Sequence, residues 1–119
     1  MTSTFLHKDT NMSKHPKFIV VIGASAGGLN ALSEMARHLQ KGLDAAYCIV
    51  VHLSRKGIGD FVVHSLQKVS PMPCSMAKDG DAIEKGHLYV ARPNQHMLVK
   101  DDHFLLWRRT GRKSLAAIH

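Results

Sequence analysis

A short apolar run followed by a glycine-rich turn and a helical pattern constrains the fold of this chain most. Phe18 to Ile22 is almost wholly apolar and partly β-branched, which predicts a central strand buried on both faces of a parallel sheet. The segment Gly23-Ala24-Ser25-Ala26-Gly27-Gly28 then interrupts the run. Apolar residues return at helical spacing from Leu29 to Leu39, and Gly42 offers a C-terminal stop. The order predicted is strand, glycine turn, helix.

The rest of the pattern extends this unit into an α/β fold. Tyr47 to Val51 is a second apolar run after a short connection, so the two strands are expected to be parallel neighbours. A second helix is expected from Phe61 to Val69, with Asp60 as its N-cap. Three short strands follow, of which the last two form a hairpin: Leu88–Ala91, His96–Val99 and Phe104–Trp107. The prediction is a parallel, Rossmann-like sheet with an antiparallel hairpin.

Composition limits the chain to one domain with a polar region at each end. The 119 residues, 45% hydrophobic and 21% charged, fit a single globular unit over residues 18–107, with a polar tail at 1–17 and a basic tail at 108–119. The net charge of +7 raises the possibility of a polyanionic partner, but the basic residues are spread along the chain except in the C-terminal tail. No nucleic-acid partner is therefore expected.

Targeting signals and metal motifs are missing from the sequence. There is no secretory signal pattern and no apolar run near the roughly 20 residues that span a bilayer, so a cytoplasmic protein without membrane insertion is expected. Cys48 and Cys74 lack the C-x-x-C spacing of a zinc or redox site and are predicted to be reduced thiols in or near the core. We expect no metal.

Gly23-Ala24-Ser25-Ala26-Gly27 matches G-x-S-x-G, the nucleophile elbow, and lies between a strand and a helix as that motif requires. The N–H groups of Ala26 and Gly27 at the helix start are candidate oxyanion donors. The same pattern also fits a plain strand–helix turn, or a phosphate-binding loop with Ser25 as a helix cap. The Rossmann fingerprint is not met, because Ser25 occupies its second glycine position, and no Walker lysine follows. A nucleotide site is the second interpretation.

One of the nine histidines is placed to act as a base for Ser25. His52 directly follows the second parallel strand, so it is expected at the same carboxyl edge of the sheet as Ser25. Adjacent strands lie about 4.8 Å apart, which allows imidazole and hydroxyl to come within reach of each other. A histidine at a strand end is by itself more often structural, and the neighbouring serine is what favours catalysis.

Four sequence blocks together resemble the chemotaxis protein-glutamate methylesterases. The blocks run from Ile22 to Gly28, from Val50 to Ser54, from Asp79 to Pro93 and from Asn94 to Val99, in the order of that family. The resemblance covers about residues 17–107 and implies hydrolysis of glutamyl methyl esters on chemoreceptor signalling domains, without a cofactor. By the same resemblance Ser25 is the nucleophile and His52 its base.

The resemblance assigns further roles and exposes two gaps. It implies that the backbone N–H of Ala26 helps to bind the oxyanion, that His96 lines the pocket, with a packed surface histidine as the alternative, and that Asp79 and Asp81 shape a turn. The family's triad acid lies in a downstream Asn-Asp-Gly loop that these 119 residues do not contain, and the 17 residues before Phe18 are too few for a phospho-receiver domain.

The expectation is therefore a partial catalytic domain, incomplete at its C-terminus, with little activity of its own. A sheet that lacks neighbours on an apolar strand is expected to self-associate. A phosphate-binding module and a non-catalytic receptor-binding protein remain as alternatives.

Overall fold

The computed structural model describes residues 14–40, 42–52, 58–92 and 95–108. Four strands form a parallel sheet in the order β1-β2-β4-β3: β1 Phe18–Ser25, β2 Ala45–His52, β3 Cys74–Met76 and β4 Leu88–Val90. A 3-10 turn over Ala26–Gly28 leads from β1 into helix α1, Leu29–Arg37, and helix α2 covers Ile58–Val69. Strands β5, Gln95–Lys100, and β6, His103–Arg108, form an antiparallel hairpin outside this sheet. The predicted α/β class and hairpin are confirmed.

The sheet separates two apolar layers. On one face, α1 and α2 pack through Leu32, Ala36, Val62 and Leu66 against alternate residues of β2, including Tyr47 and Ile49. On the other face, the hairpin packs through Phe104 and Leu106 against Ala46, Cys48 and Tyr89. Alternation along β2 assigns each residue to one layer, because successive side chains of a strand point to opposite faces. The first layer is called here the helix face and the second the hairpin face.

The prediction that β1 is a central strand buried on both faces is wrong for the described part of the chain. β1 is at the edge of the sheet, and its residues Phe18, Val20 and Val21 are 61%, 39% and 66% exposed. An apolar run indicates that a strand is to be buried, but it does not indicate which neighbouring strand buries it. The parallel pairing of β1 with β2 is confirmed over the full length of both strands.

Smaller differences concern element ends. Asp60 is not an N-cap, because α2 begins at Ile58 and Asp60 lies within its first turn. A carboxylate there still interacts favourably with the helix dipole. Helix α1 ends at Arg37, ahead of Gly42. The three-residue strand β3 was not predicted, since it is too short for a periodic signal.

Cys48 and Cys74 are buried free thiols, as predicted, and burial raises the pKa of each to about 11. None of the described helices has the length and apolar character to cross a membrane.

Candidate active site

Ser25 and His52 are the last residues of two neighbouring parallel strands and lie in register with each other. The preceding residues, Ala24 and Val51, pack into the helix-face core, so Ser25 and His52 point to the hairpin face. Both are exposed. No hydrogen bond joins their side chains within the described part of the chain. At a strand spacing of about 4.8 Å, a rotamer change is enough to bring the hydroxyl and the imidazole together.

The backbone at Ser25 differs from the sharp turn that the G-x-S-x-G pattern predicts. Ser25 is extended, with φ −86° and ψ 169°, and the chain turns only afterwards, in the 3-10 turn. Positive φ values among the described glycines occur at Gly80 and Gly86, outside the motif. Ser25 also makes no side-chain cap hydrogen bond to that turn. Its hydroxyl is thus not used as a helix cap, which removes one structural explanation for the serine.

The backbone after Ser25 supplies hydrogen-bond donors. Ala26 and Gly27 begin the 3-10 turn that continues into α1, and the first N–H groups of such a segment lack partners within it. A Cβ added to Gly27 would lie 3.9 Å from the Ser25 Oγ. The backbone of Gly27 is therefore next to the hydroxyl, where an oxyanion formed on attack would need stabilising.

The surface leading to Ser25 along the hairpin face is open and apolar. Val21 precedes Ser25 by four positions on β1, and Val50 precedes His52 by two on β2, so all four side chains share that face. Val50 is 40% exposed. Gly23 lies between them, and a Cβ there would meet only the Val50 carbonyl oxygen, at 4.0 Å. A substrate can thus approach the pair across an apolar strip.

His96 is placed on the hairpin, opposite Trp107 in the β5–β6 register. The two rings are 5.3 Å apart between centroids and inclined by 30°. Their neighbours Met97 and Leu106 pack toward the sheet, so His96 and Trp107 face away from it. This contact fits the alternative of a packed surface histidine, while a pocket role for His96 stays a prediction.

Five of the aspartates have structural roles in turns or at the amino ends of the strands. Asp79 accepts a hydrogen bond from the Leu106 N–H at 2.8 Å through its Oδ1, and the Asp81 carbonyl accepts one from the Phe104 N–H at 2.9 Å. Both therefore tie the loop after β3 to the hairpin. Asp44 Oδ1 accepts from the Lys17 N–H at 2.9 Å, before the opposite ends of β1 and β2. Asp101 and Asp102 form the hairpin turn.

Two contacts were not anticipated from the sequence. A Cβ on Gly28 would lie 3.3 Å from the Ala24 Cβ, so this glycine lets the start of α1 approach the end of β1. The doubled glycine at positions 27 and 28 is its sequence signal. At the amino edge of the sheet, Ser75 Oγ and His87 Nε2 are 3.4 Å apart. His87 also stacks on Tyr89, and burial lowers its pKa. No sequence pattern marks this second pair.

Comparison with known proteins identifies relatives of this chain in sequence and in fold. The chain is 32% identical over 94 residues to a protein-glutamate methylesterase/protein-glutamine glutaminase of Treponema denticola, covering 78% of this chain and 25% of that protein. A relative of Leptospira interrogans, described as a similar but putative enzyme, is 32% identical over 83 residues, covering 70% and 42%.

The methylesterase catalytic domain of Thermotoga maritima CheB has the same fold, with a TM-score of 0.67 at 24% identity. That match covers 86% of this chain and 53% of the solved one, so the chain spans about half of the domain it resembles. Residues 20–118, which include Ser25 and His52, match the profile of the CheB methylesterase family. The chain belongs to the CheB methylesterase family.

Proposed function

We propose that this chain carries the nucleophile and base of an enzyme that hydrolyses glutamyl methyl esters on cytoplasmic chemoreceptor signalling domains, releasing methanol. The observation that carries the proposal is the register of Ser25 with His52 at one sheet edge and on one face, in a member of a methylesterase family. Open α/β sheets place their active sites at this edge. The unused hydroxyl of Ser25 fits a nucleophile better than a helix cap.

The proposal assigns each step of the reaction to a group of this chain. His52 takes the proton of Ser25 as Oγ attacks the ester carbonyl, because serine is weakly nucleophilic at its free pKa. The N–H groups of Ala26 and Gly27 stabilise the oxyanion of the tetrahedral intermediate. Methanol leaves with the proton from His52, and a water molecule, deprotonated by His52, then hydrolyses the acyl-serine to release the glutamate side chain. These reaction steps need no cofactor.

The substrate approaches over the hairpin face in this proposal. The strip formed by Val21, Gly23 and Val50 leads to Ser25 and contacts apolar side chains around the modified glutamate. His96, on the outer side of the hairpin beside Trp107, is assigned a contact with the receptor surface beyond this strip. The residues of the strip and His96 contribute to substrate binding, whereas Ser25 and His52 carry out the chemical step.

These 119 residues alone are expected to turn over slowly. Among the described residues, no carboxylate makes a hydrogen bond or an ion pair with His52, so none holds the imidazole in place there. In triad enzymes loss of the acid lowers turnover by about 10⁴. A slow but Ser25-dependent reaction is the predicted behaviour.

Methanol release from a methylated receptor fragment tests the proposal. Wild-type protein is expected to release methanol slowly, and Ser25→Ala and His52→Gln to abolish the release to similar extents, with the double variant little worse than either. His64→Gln, at an exposed position on α2, is the matched control and should keep the wild-type rate. Activity that survives Ser25→Ala would remove the assignment. If inorganic phosphate protects Ser25 from a serine-directed reagent while no methanol is released, the result would favour a phosphate-binding loop instead.

A further inference from the structure

Arg92 is a cation at the same edge of the sheet as the proposed catalytic pair. β4 pairs with β2 in a register that sets Val90 beside Ile49, and the ladder continues past the end of β4 through a hydrogen bond from the Ala91 N–H to β2. Arg92 therefore lies level with Val51, close to the end of β2. Because the strand order is β1-β2-β4-β3, the Arg92 backbone is about two strand spacings, or roughly 10 Å, from β1.

The side chain of Arg92 is held by the backbone of β3. The Ala77 N–H donates to the Val90 carbonyl at 2.9 Å, and a regular parallel ladder would next join the Ala77 carbonyl to the backbone N–H of residue 92. In this structure the Ala77 carbonyl accepts a hydrogen bond from the Arg92 Nε at 2.9 Å. The guanidinium group therefore lies over the carboxyl ends of β3 and β4, in an orientation that the main chain fixes.

Most hydrogen-bond donors of this guanidinium group are available to a ligand. The bond to Ala77 uses one of the five N–H groups of an arginine side chain. Neither of the two ion pairs among the residues that the structure describes includes Arg92. Asp79, two residues after Ala77, uses its Oδ1 to accept from the Leu106 N–H. A partly buried guanidinium group with its Nη atoms free in this way is suited to bind a carboxylate through two parallel hydrogen bonds.

We propose that Arg92 binds a second glutamate of the substrate, so that an ester is hydrolysed faster when a neighbouring site is already a free carboxylate. This inference rests on the proposed function. Hydrolysis turns a neutral methyl ester into a carboxylate, so a segment with two such sites carries this anion beside the remaining ester once the first has reacted. The ester offers Arg92 no charge, and the carboxylate does. Exposed Lys78, next to Ala77, adds to the positive potential at this place.

The geometry sets the distance between the two substrate groups. The Arg92 side chain reaches from β4 toward β3, so its guanidinium group is about two to three strand spacings, roughly 10–15 Å, from Ser25. A helix rises 1.5 Å per residue, so on a helical substrate a carboxylate on the same face and about two turns from the ester spans this distance. A carboxylate one turn away, at about 5 Å, would lie over β2 and His52 instead.

Binding of three helical peptides tests this inference without catalysis. Each peptide carries one glutamyl methyl ester. The first has a glutamate two turns away, the second a glutamine at that position, and the third a glutamate one turn away. The Ser25→Ala chain, which keeps the ester intact, is expected to bind the first peptide about three- to tenfold more tightly than the second, between the effect of an exposed ion pair and that of a charge-assisted hydrogen bond. The third peptide should gain less than the first.

Variants of Arg92 separate recognition from support of the sheet. Arg92→Met is expected to bind the first two peptides equally, and Arg92→Glu to prefer the second. Lys68→Met is the matched control, because it removes one positive charge from an exposed residue in the last turn of α2, which ends at the amino edge of the sheet, and it should keep the preference. Loss of a purely structural bond to Ala77 would weaken both peptides by the same factor. Circular dichroism shows that each variant is folded.

The outcomes that overturn the role of Arg92 are specific. They are no binding of the first peptide, equal binding of the first two peptides to the Ser25→Ala chain, the same preference with Arg92→Met, or an equal gain from the glutamate one turn away.

Methanol release from the first two peptides, with Ser25 intact, separates this inference from the proposed function. The ratio of kcat/KM for the first peptide to that for the second should also be about three to ten, and Arg92→Met should remove the difference while leaving the second peptide's rate unchanged. Binding that prefers the first peptide through Arg92, without methanol from either peptide, contradicts the proposed function and leaves the carboxylate site standing. Ser25-dependent release at equal rates from both peptides supports the proposed function and overturns the role of Arg92.

Discussion

Ala24 and Gly28 approach so closely that a methyl group on Gly28 would lie 3.3 Å from the Ala24 Cβ. Ala24 precedes Ser25, and Gly28 closes the 3-10 turn whose N–H groups are the proposed oxyanion donors. The contact therefore fixes the distance between the end of β1 and the start of α1. The placement of the donors relative to the Ser25 hydroxyl depends on it.

Gly28→Ala is expected to lower the free energy of unfolding by about 1–3 kcal/mol, the usual cost of overpacking. Ala24→Gly in the same chain should restore most of that loss, because it removes the atom that the new methyl group meets. Urea unfolding of the two single variants and the double variant gives the coupling energy. Gly42→Ala is the control, since a Cβ there meets nothing within 4 Å. Additive effects at 24 and 28 would show that the contact is not the cause.

Asp79 and Asp81 are predicted to differ in their effect on stability. Asp79→Ala removes the acceptor of the buried Leu106 N–H and should cost about 1–3 kcal/mol. Asp81→Ala should be nearly neutral, because Asp81 accepts from the Phe104 N–H through its backbone oxygen. Chemical unfolding measures both. Neither variant should change the reactivity of Ser25, and a selective loss of reactivity in either would make that aspartate a candidate acid.

The hairpin turn contains strain that glycine can relieve. Asp101 and Asp102 have φ values of 50° and 61°, in the left-handed region. Asp101→Gly is expected to raise the free energy of unfolding by about 0.5–1 kcal/mol, less than the full left-handed penalty because aspartate tolerates this region. Gly80→Ala, at φ 83°, should act in the opposite direction. Thermal unfolding distinguishes the two, and destabilisation by Asp101→Gly would mean that the carboxylate has a role of its own.

Stability is expected to fall as the pH drops below about 6.5, the usual pKa of histidine. Burial lowers the pKa of His87 in the folded chain, so the unfolded chain binds more protons than the folded chain in this range. The free energy of unfolding therefore rises with pH. His87→Gln should reduce the slope of unfolding free energy against pH between 5 and 7. An unchanged slope in His87→Gln would contradict the assignment to His87.

The sequence predicted the elements that local pattern determines. The apolar runs at 18–22 and 47–51, with a helical period between them, are enough to predict parallel β1 and β2, and hence the meeting of Ser25 and His52 at one edge. Strand β3 was missed because three residues carry no period. The exposure of β1, the Ala24–Gly28 contact and the Ser75–His87 pair depend on which elements pack together, which no local pattern reports.

The most direct test of the account is the site at which a serine-directed fluorophosphonate reacts. One adduct is expected, on Ser25, identified by mass spectrometry of tryptic peptides. His52→Gln is expected to slow its formation by about 10²–10⁴, the usual contribution of a general base, and Ser25→Ala to abolish it while the circular dichroism spectrum stays unchanged. An adduct at Ser75 or elsewhere, or an equal rate in His52→Gln, would contradict the claim that Ser25 and His52 act as nucleophile and base.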